Sequence, residues 1–301
     1  IAEVDGKLMA TLVDEEVDAT VKLTATATKG SVTATKDFTV RLISGNQAEI
    51  DALVIPNADN IRGNITLPTV GENGSPITWE SSNEEVISTK EVANSGYDKT
   101  PAGVVTRQDT DTNVTLTATF TQGTEQKTKE IPVTVKAKPV IGEKTDYLFA
   151  YFVGDGKDPV DNITQERVYF AASRDGLNWG ELNNANPVFT STLGEEGLRD
   201  PYIIRSAEGD KFFLIATDLQ IAKGGADVWG DAQKKGSQAI MVWESDDLVN
   251  WGEQRMVTVS EGIDAGCTWA PEAFYDERTG EYVVFWASKV KGKNYDKQRL
   301  Y

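Results

Sequence analysis

Carboxylates are the side chains of this 301-residue sequence that could carry out acid–base chemistry. The sequence has no histidine and a single cysteine, which excludes an internal disulfide, histidine-based triads and the usual zinc-ligand sets. Asp200 has the most informative surroundings, because it follows Arg199 and directly precedes a predicted strand that opens with Pro201. We predict that Asp200 is a catalytic carboxylate that lines a ligand cavity. The alternative is a structural ion pair between Asp200 and Arg199.

A second segment with the same character runs from Gly266 to Tyr275 and contains Trp269-Ala-Pro-Glu272. Trp269 is a candidate for stacking against a sugar ring, with core packing as the alternative. Cys267 is expected to pack as a small apolar side chain. Aligning the glycine turns that follow the two segments puts Asp200 and Glu272 one position apart, so their side chains are not assumed to point alike.

The strands that position these residues are predicted from short apolar runs. Runs of five or six apolar residues are typical of strands buried on both faces. A Ser-x-Asp-x-x-Asn-Trp element occurs twice, at Ser173–Trp179 and Ser245–Trp251, 72 residues apart. We interpret it as a strand end and turn in which Asp or Asn binds local backbone N–H groups and Trp covers the adjoining sheet. The period favours a β-propeller with long loops over other all-β repeats. The apolar runs are Tyr147–Phe152, Phe212–Ala216 and Tyr282–Trp286.

The first 138 residues differ in composition from the rest. They are rich in Thr and Val with period-two alternation, which is typical of antiparallel strands with one buried face. Residues 21–42 match residues 114–135 at a constant spacing of 93, which is the length of an immunoglobulin-like sandwich. The change to an aromatic-rich sequence near Lys138-Pro139 predicts a linker there.

Charge and hydropathy restrict the partners. The formal net charge of −17 argues against binding to nucleic acid or an anionic membrane and favours a neutral, polyhydroxylated ligand. No apolar stretch approaches the roughly 20 residues that a membrane span requires. A calcium ion is considered at Gly154-Asp-Gly156, where a plain turn is the alternative. No other metal or cofactor is predicted.

Two resemblances follow from these motifs. The segment Ile77-Thr-Trp-Glu-Ser-Ser-Asn83 resembles atrophied bacterial Ig-like domains, which act mainly as spacers. The region from about Thr145 to Tyr301 is similar to glycoside hydrolase family 43, whose members are five-bladed β-propellers that cleave arabinose- or xylose-containing glycans with inversion. The expected fold class is therefore all-β. Its expected domains are residues 1–43 (the end of one Ig-like module), 44–138 (a complete module) and 139–301 (the first blades of a propeller).

The family resemblance implies roles for particular residues. Asp200 matches the general base of the family, and Glu272 matches a Trp-Ala-Pro-acid element that supports the substrate subsite. Arg199, Asp218 and Trp269 are the further substrate-binding candidates. The general acid and the aspartate that tunes it are expected beyond Tyr301. We therefore expect the chain to be a truncated piece with weak or absent hydrolysis on its own.

The first functional hypothesis is an inverting glycosidase, an α-L-arabinofuranosidase acting on plant cell-wall polysaccharides. The second is a non-catalytic carbohydrate-binding or adhesive protein of the cell surface. A third is a retaining propeller hydrolase similar to fructan-cleaving enzymes, but here only Lys157-Asp158-Pro159 stands in for the upstream nucleophile element. The Ig-like modules and the substrate class imply a secreted or cell-surface bacterial protein, with cell-wall attachment through the longer protein.

Overall fold

The chain forms two compact units, Ile1–Ala137 and Lys138–Tyr301, in a computed structural model. The structure describes residues 2–4, 7–9, 19–42, 45–94, 96, 99–122, 125–154, 165–222 and 224–301. Strands make up nearly all the regular structure of both units, which confirms the predicted all-β class. Among the described residues, no helix has the length and apolar character of a membrane span.

The first unit repeats one hairpin. Strands β3 (Ala19–Lys29) and β4 (Val32–Leu42) pair with Ala19 opposite Leu42. Strands β8 (Thr112–Gln122) and β9 (Glu125–Val135) pair with Thr112 opposite Val135. Both hairpins have two strands of 11 residues and differ in position by 93, so the sequence repeat is also a structural one. The elements of this unit are β1 (Ala2–Val4), β2 (Lys7–Met9), β3 (Ala19–Lys29), β4 (Val32–Leu42), α1 (Gly45–Ala52), β5 (Ile77–Ser81), β6 (Ile87–Ser88), β7 (Val104–Val105), β8 (Thr112–Gln122) and β9 (Glu125–Val135).

The core of the first unit lies between two small sheets. One has the strand order β5-β8-β9 and the other pairs β6 with β7. Alternate residues of β8, among them Val114, Leu116 and Phe120, are buried, while the threonines between them are more exposed. This period of two is the reason why a Thr-Val sequence forms a sheet with one apolar face.

The second unit contains three successive antiparallel sheets. Its elements are β10 (Tyr147–Phe152), β11 (Val168–Ser173), β12 (Gly180–Glu181), β13 (Leu198–Arg205), β14 (Phe212–Asp218), α2 (Val228–Ala232), β15 (Ala239–Ser245), β16 (Arg255–Thr258), β17 (Trp269–Asp276), β18 (Glu281–Ser288) and β19 (Arg299–Leu300), with short 3-10 turns at Asn183–Ala185, Glu261–Ile263 and Lys291–Lys293. The strand orders are β10-β11-β12, β13-β14-β15-β16 and β17-β18-β19. The first strands of the three sheets, β10, β13 and β17, are neighbours in that order.

The middle sheet is covered on both faces. Leu214 and Ala216 pack with Phe170 of the first sheet, whereas Ile215 packs with Ala273 of the third. The prediction of a doubly buried strand is therefore confirmed for β14.

The same prediction is wrong for β10 and β18. Tyr147 and Phe149 on β10, and Val283 on β18 with Phe274 opposite it on β17, are exposed. In the described part of this unit no fourth sheet packs on those faces, so an apolar run alone does not establish burial on both sides.

The two Ser-x-Asp-x-x-Asn-Trp elements form the same turn. In the second copy, the Asp247 carboxylate accepts hydrogen bonds from the backbone N–H groups of Val249 (2.8 Å) and Asn250 (2.7 Å) and from the Asn250 side chain (2.7 Å). Asp175 makes the equivalent bonds in the first copy. Trp251 then packs against Phe170 and Phe189, at ring-centroid distances of 6.1 and 5.1 Å. Both parts of the predicted turn, the local acceptor and the covering indole, are confirmed for the second copy.

This turn predicts a pH dependence of stability. The backbone and side-chain hydrogen bonds from Asn250 lower the pKa of Asp247 from 3.8 to about 2. A carboxyl whose pKa is lower in the folded state stabilises the fold above its unfolded pKa and loses that contribution as the pH falls towards the folded value. The midpoint of urea unfolding should therefore fall more steeply between pH 4 and 2 in the wild type than in Asp247→Asn. Parallel pH profiles of the two proteins would contradict this assignment.

Candidate functional site

Asp200 stands at an irregularity of the inner strand of the middle sheet. Its φ is +48°, and the pairing of β13 with β14 shifts register between Arg199 and Tyr202. Ala270 has the same φ of +48° at the corresponding register shift of β17. A left-handed conformation is unfavourable for a residue other than glycine, so two such residues at matching bulges indicate a geometry that the surrounding structure imposes.

The two bulges correct the alignment made from the glycine turns. Tyr202 pairs with Ile215 as the first residue after its bulge, and Glu272 pairs with Phe285 in the same way. Asp200 is therefore equivalent to Ala270, and Glu272 lies two positions further along its own strand, not one. The glycine turns gave the wrong spacing because Gly209 and Gly280 occupy different positions in two turns of equal length.

Thr217 connects Asp200 to the third sheet. Its hydroxyl donates a hydrogen bond of 3.0 Å to Asp200 Oδ2 and accepts one of 2.8 Å from the backbone N–H of Ala270. Asp200 is half-buried, and its Oδ1 accepts no hydrogen bond from the described residues. One oxygen of this carboxylate is thus fixed, and the other is available to a water molecule.

The neighbouring Arg199 is paired elsewhere. Its guanidinium donates a hydrogen bond of 2.9 Å to Glu166 Oε1, with the Arg199 side chain 13% exposed and Glu166 0% exposed. Glu166 also accepts backbone N–H bonds from Ile221 (2.7 Å) and Ala222 (2.9 Å). Arg199 makes no ion pair with Asp200, so the alternative in which these two residues neutralise each other is wrong.

Two aromatic rings contact the Arg199 guanidinium. Its central carbon is 4.7 Å from the ring centroid of Phe152 and 5.4 Å from that of Trp229. Trp229 in turn meets Trp269 edge to face, with centroids 6.3 Å apart and an interplanar angle of 85°. The predicted residues Arg199, Asp200 and Trp269 are therefore brought together, through Thr217 on one side and Trp229 on the other.

Asp218 and Glu272 have different surroundings. Asp218 is 1% exposed, and its Oδ1 accepts a hydrogen bond of 2.8 Å from the backbone N–H of Glu195. A Cβ at Gly194, whose φ is +60°, would lie 2.1 Å from Asp218 Oδ2, so the carboxylate fills the space under this turn. Glu272 is exposed on β17. A substrate contact by either residue stays a prediction. Cys267 is fully buried, as expected for a small apolar side chain.

Four residues that shape the site were not predicted from the sequence: Phe152, Glu166, Thr217 and Trp229. Glu166 gives no local signal, because its partners follow it by 33 to 56 positions. Trp229 does carry a sequence signal, because tryptophan is highly buried on average and this one lies in a polar, glycine-containing segment.

Metal binding gains no support from the side chains. In the described ranges, no group of three or more Asp, Glu, Cys or His side chains could hold a metal ion. Two residues of the predicted calcium turn, at positions 155 and 156, lie outside the described residues, as does the Lys157-Asp158-Pro159 segment. The calcium prediction stays a prediction.

Comparison with known proteins gives two family matches. Residues 143–300 match the family described as a probable glycosyl hydrolase domain, and residues 46–138 match the atrophied bacterial Ig domain. An α-L-arabinofuranosidase of Bifidobacterium longum subsp. longum is 36% identical over 298 residues, which cover 90% of this chain and 27% of that protein. The chain thus spans about a quarter of the length of this relative.

Solved structures give weaker similarities. A GH32 β-fructofuranosidase of Bombyx mori has a TM-score of 0.35 at 16% identity and covers 64% of this chain and 43% of its own. A GH43 β-1,3-galactosidase has a TM-score of 0.32 at 13% identity, covering 53% of this chain and 55% of its own. The family match spans just over half of the sequence and confirms the predicted resemblance. The chain therefore belongs to the glycosyl hydrolase family related to family 43, and an atrophied bacterial Ig domain precedes the hydrolase region.

Proposed function

We propose that the second unit carries the base side of a glycosidase site, in a protein that hydrolyses α-L-arabinofuranosides. The observation that carries this proposal is the hydrogen-bonded link from Asp200 through Thr217 to Ala270, which joins the two predicted motifs. Trp269 adjoins this link, and the similarity to an α-L-arabinofuranosidase supports the choice of sugar.

In the proposed reaction, a water oxygen attacks the anomeric carbon while the bond from that carbon to the leaving oxygen breaks. Asp200 takes the proton of the water, and a protonated acid on the opposite side of the sugar gives its proton to the leaving oxygen. Inverting enzymes hold the two carboxyl groups about 6.5–9.5 Å apart to leave room for that water. We assign no proton donor among the residues of this chain. Because Thr217 binds Oδ2, Oδ1 is the oxygen that receives the proton.

We further propose that the three sheets are successive blades of a five-bladed propeller. The neighbouring first strands β10, β13 and β17 and the exposed apolar faces of β10 and β18 support this arrangement. In a propeller the innermost strands line the central cavity, so Asp200 on β13 would face the ligand. Plant cell-wall polysaccharide as substrate, secretion and cell-wall attachment belong to the same proposal. The alternative is a non-catalytic carbohydrate-binding protein.

The test is the configuration of the first product. With the protein at its natural length and an α-L-arabinofuranoside, proton NMR should detect β-L-arabinose before mutarotation mixes the anomers, because the water attacks opposite to the leaving group. Arabinan, arabinoxylan and galactan would identify the natural linkage. The α-anomer as first product would rule out Asp200 as a base acting on water. No release of arabinose from any of these substrates would contradict the choice of sugar.

A further inference from the structure

Trp229 is held in place and is nevertheless open to solvent. It lies on α2, in the connection between β14 and β15, and 41% of the residue is exposed. An exposed indole does not gain the stabilisation that burial of its apolar area would give, so its exposed part is available for contact with a ligand.

Trp229 contacts Arg199, which forms an ion pair with the buried Glu166. The Arg199 guanidinium packs on its ring at 5.4 Å and on Phe152 at 4.7 Å, and Glu166 fixes that guanidinium at 2.9 Å. Trp269 restrains the indole from a second direction. A side chain already fixed in this way loses little conformational entropy when a ligand binds, which increases the affinity that its contacts provide.

Both side chains that contact Trp229 come directly before residues of the proposed reacting centre in the chain. One neighbour, Arg199, precedes Asp200 in the chain, and the other, Trp269, precedes the Ala270 N–H that binds Thr217. Indole rings offer a broad apolar face, and ligand sites are lined mainly by such faces together with a few polar groups. The C–H face of a neutral sugar ring is a matching surface that needs no charged partner.

We propose that Trp229 forms one wall of the sugar subsite at Asp200 and stacks on the ring of an arabinose residue. This inference rests on the proposed function. It assigns to Trp229 the role of a specificity-determining residue that acts by contact, with Arg199 and Glu166 as positioning residues behind it.

The test compares Trp229→Ala and Trp229→Phe with Trp179→Ala. Trp179 is a matched control, because it is 42% exposed and packs on Phe149 at 5.4 Å, outside the Asp200 cluster. Hydrolysis is measured with the natural-length protein on an aryl α-L-arabinofuranoside and on arabino-oligosaccharides. Trp229→Ala should raise KM about 10-fold, which is the loss of affinity expected when a typical binding hot spot is removed. The change in kcat should be smaller. Trp229→Phe should keep most of the affinity, and Trp179→Ala should match the wild type.

A second measurement separates this inference from the proposed function. Calorimetric titration of an arabino-oligosaccharide into Asp200→Asn, with and without Trp229→Ala, measures binding without turnover. If Asp200→Asn abolishes hydrolysis but Trp229→Ala changes KM and binding no more than Trp179→Ala does, the inference is overturned and the function stands. If hydrolysis does not depend on Asp200 while Trp229→Ala weakens binding about 10-fold, the sugar contact is supported and the hydrolase proposal fails. Far-ultraviolet circular dichroism confirms folding of each variant.

Discussion

Asp200→Asn should lower kcat on α-L-arabinofuranosides by about 10²–10⁴-fold, which is the usual contribution of a general base. Asparagine has nearly the same shape, tolerates the left-handed φ of +48° and can still accept the Thr217 hydrogen bond, so only the capacity to take a proton is lost. The loss should persist with an aryl leaving group, because the base acts on the attacking water. Affinity for an arabino-oligosaccharide should remain within about threefold of the wild type, which steady-state kinetics and titration calorimetry can measure together.

Asp264→Asn is the matched control for this substitution. Asp264 also has a left-handed φ, +51°, but it is exposed at the end of a 3-10 turn. The same chemical change at the same kind of backbone position should leave kcat and KM unaltered. Hydrolysis no faster than background for both Asp200→Asn and the wild type, with binding retained in both, would favour the non-catalytic carbohydrate-binding alternative.

Glu166→Gln should be the most destabilising single substitution proposed for this chain, by about 3–5 kcal/mol. The carboxylate is 0% exposed and neutralises Arg199 while it accepts two backbone N–H bonds. Glutamine keeps the shape but leaves the guanidinium without a counter-charge and turns an amide donor towards backbone donors. Six of the seven tryptophans lie after residue 138, so urea unfolding followed by tryptophan fluorescence reports mainly on the second unit.

Two further variants make this prediction specific. Glu196→Gln repeats the change at an exposed residue with a φ of +63° and should cost no more than about 0.5 kcal/mol. Adding Arg199→Met to Glu166→Gln removes the uncompensated cation and should restore part of the stability, as a double-mutant cycle would measure. An effect of Glu166→Gln as small as that of Glu196→Gln would show that the ion pair does not hold this region.

The sequence predicted features that depend on neighbouring residues. Alternating Thr and Val indicated the hairpins of the first unit, and the repeat of 93 residues reappears with the same register in β3-β4 and β8-β9. The Ser-x-Asp-x-x-Asn-Trp turn was predicted together with its acceptor, because Asp247 binds N–H groups only two and three residues away. Such patterns can be recognised in a sequence because a few residues that are close together in the chain determine the structure.

Predictions that required distant residues were less successful. The apolar runs at β10 and β18 indicated burial on both faces, yet burial depends on whether another sheet packs there. The glycine alignment misplaced Glu272 relative to Asp200, because Gly209 and Gly280 occupy different positions in their turns and only the pairing of the strands reveals this.

By itself, the sequence determined the all-β class, the repeated hairpin, the carboxylate and tryptophan motifs and the absence of histidine chemistry. Only the tertiary structure decided that Arg199 pairs with Glu166 and not with Asp200, that Thr217 joins the two motifs, and that Trp229 stands between Arg199 and Trp269. The reason is sequence separation. These partners lie 17 to 53 positions apart and meet through strand pairing within the middle sheet and through packing between neighbouring sheets and loops, which no local pattern encodes.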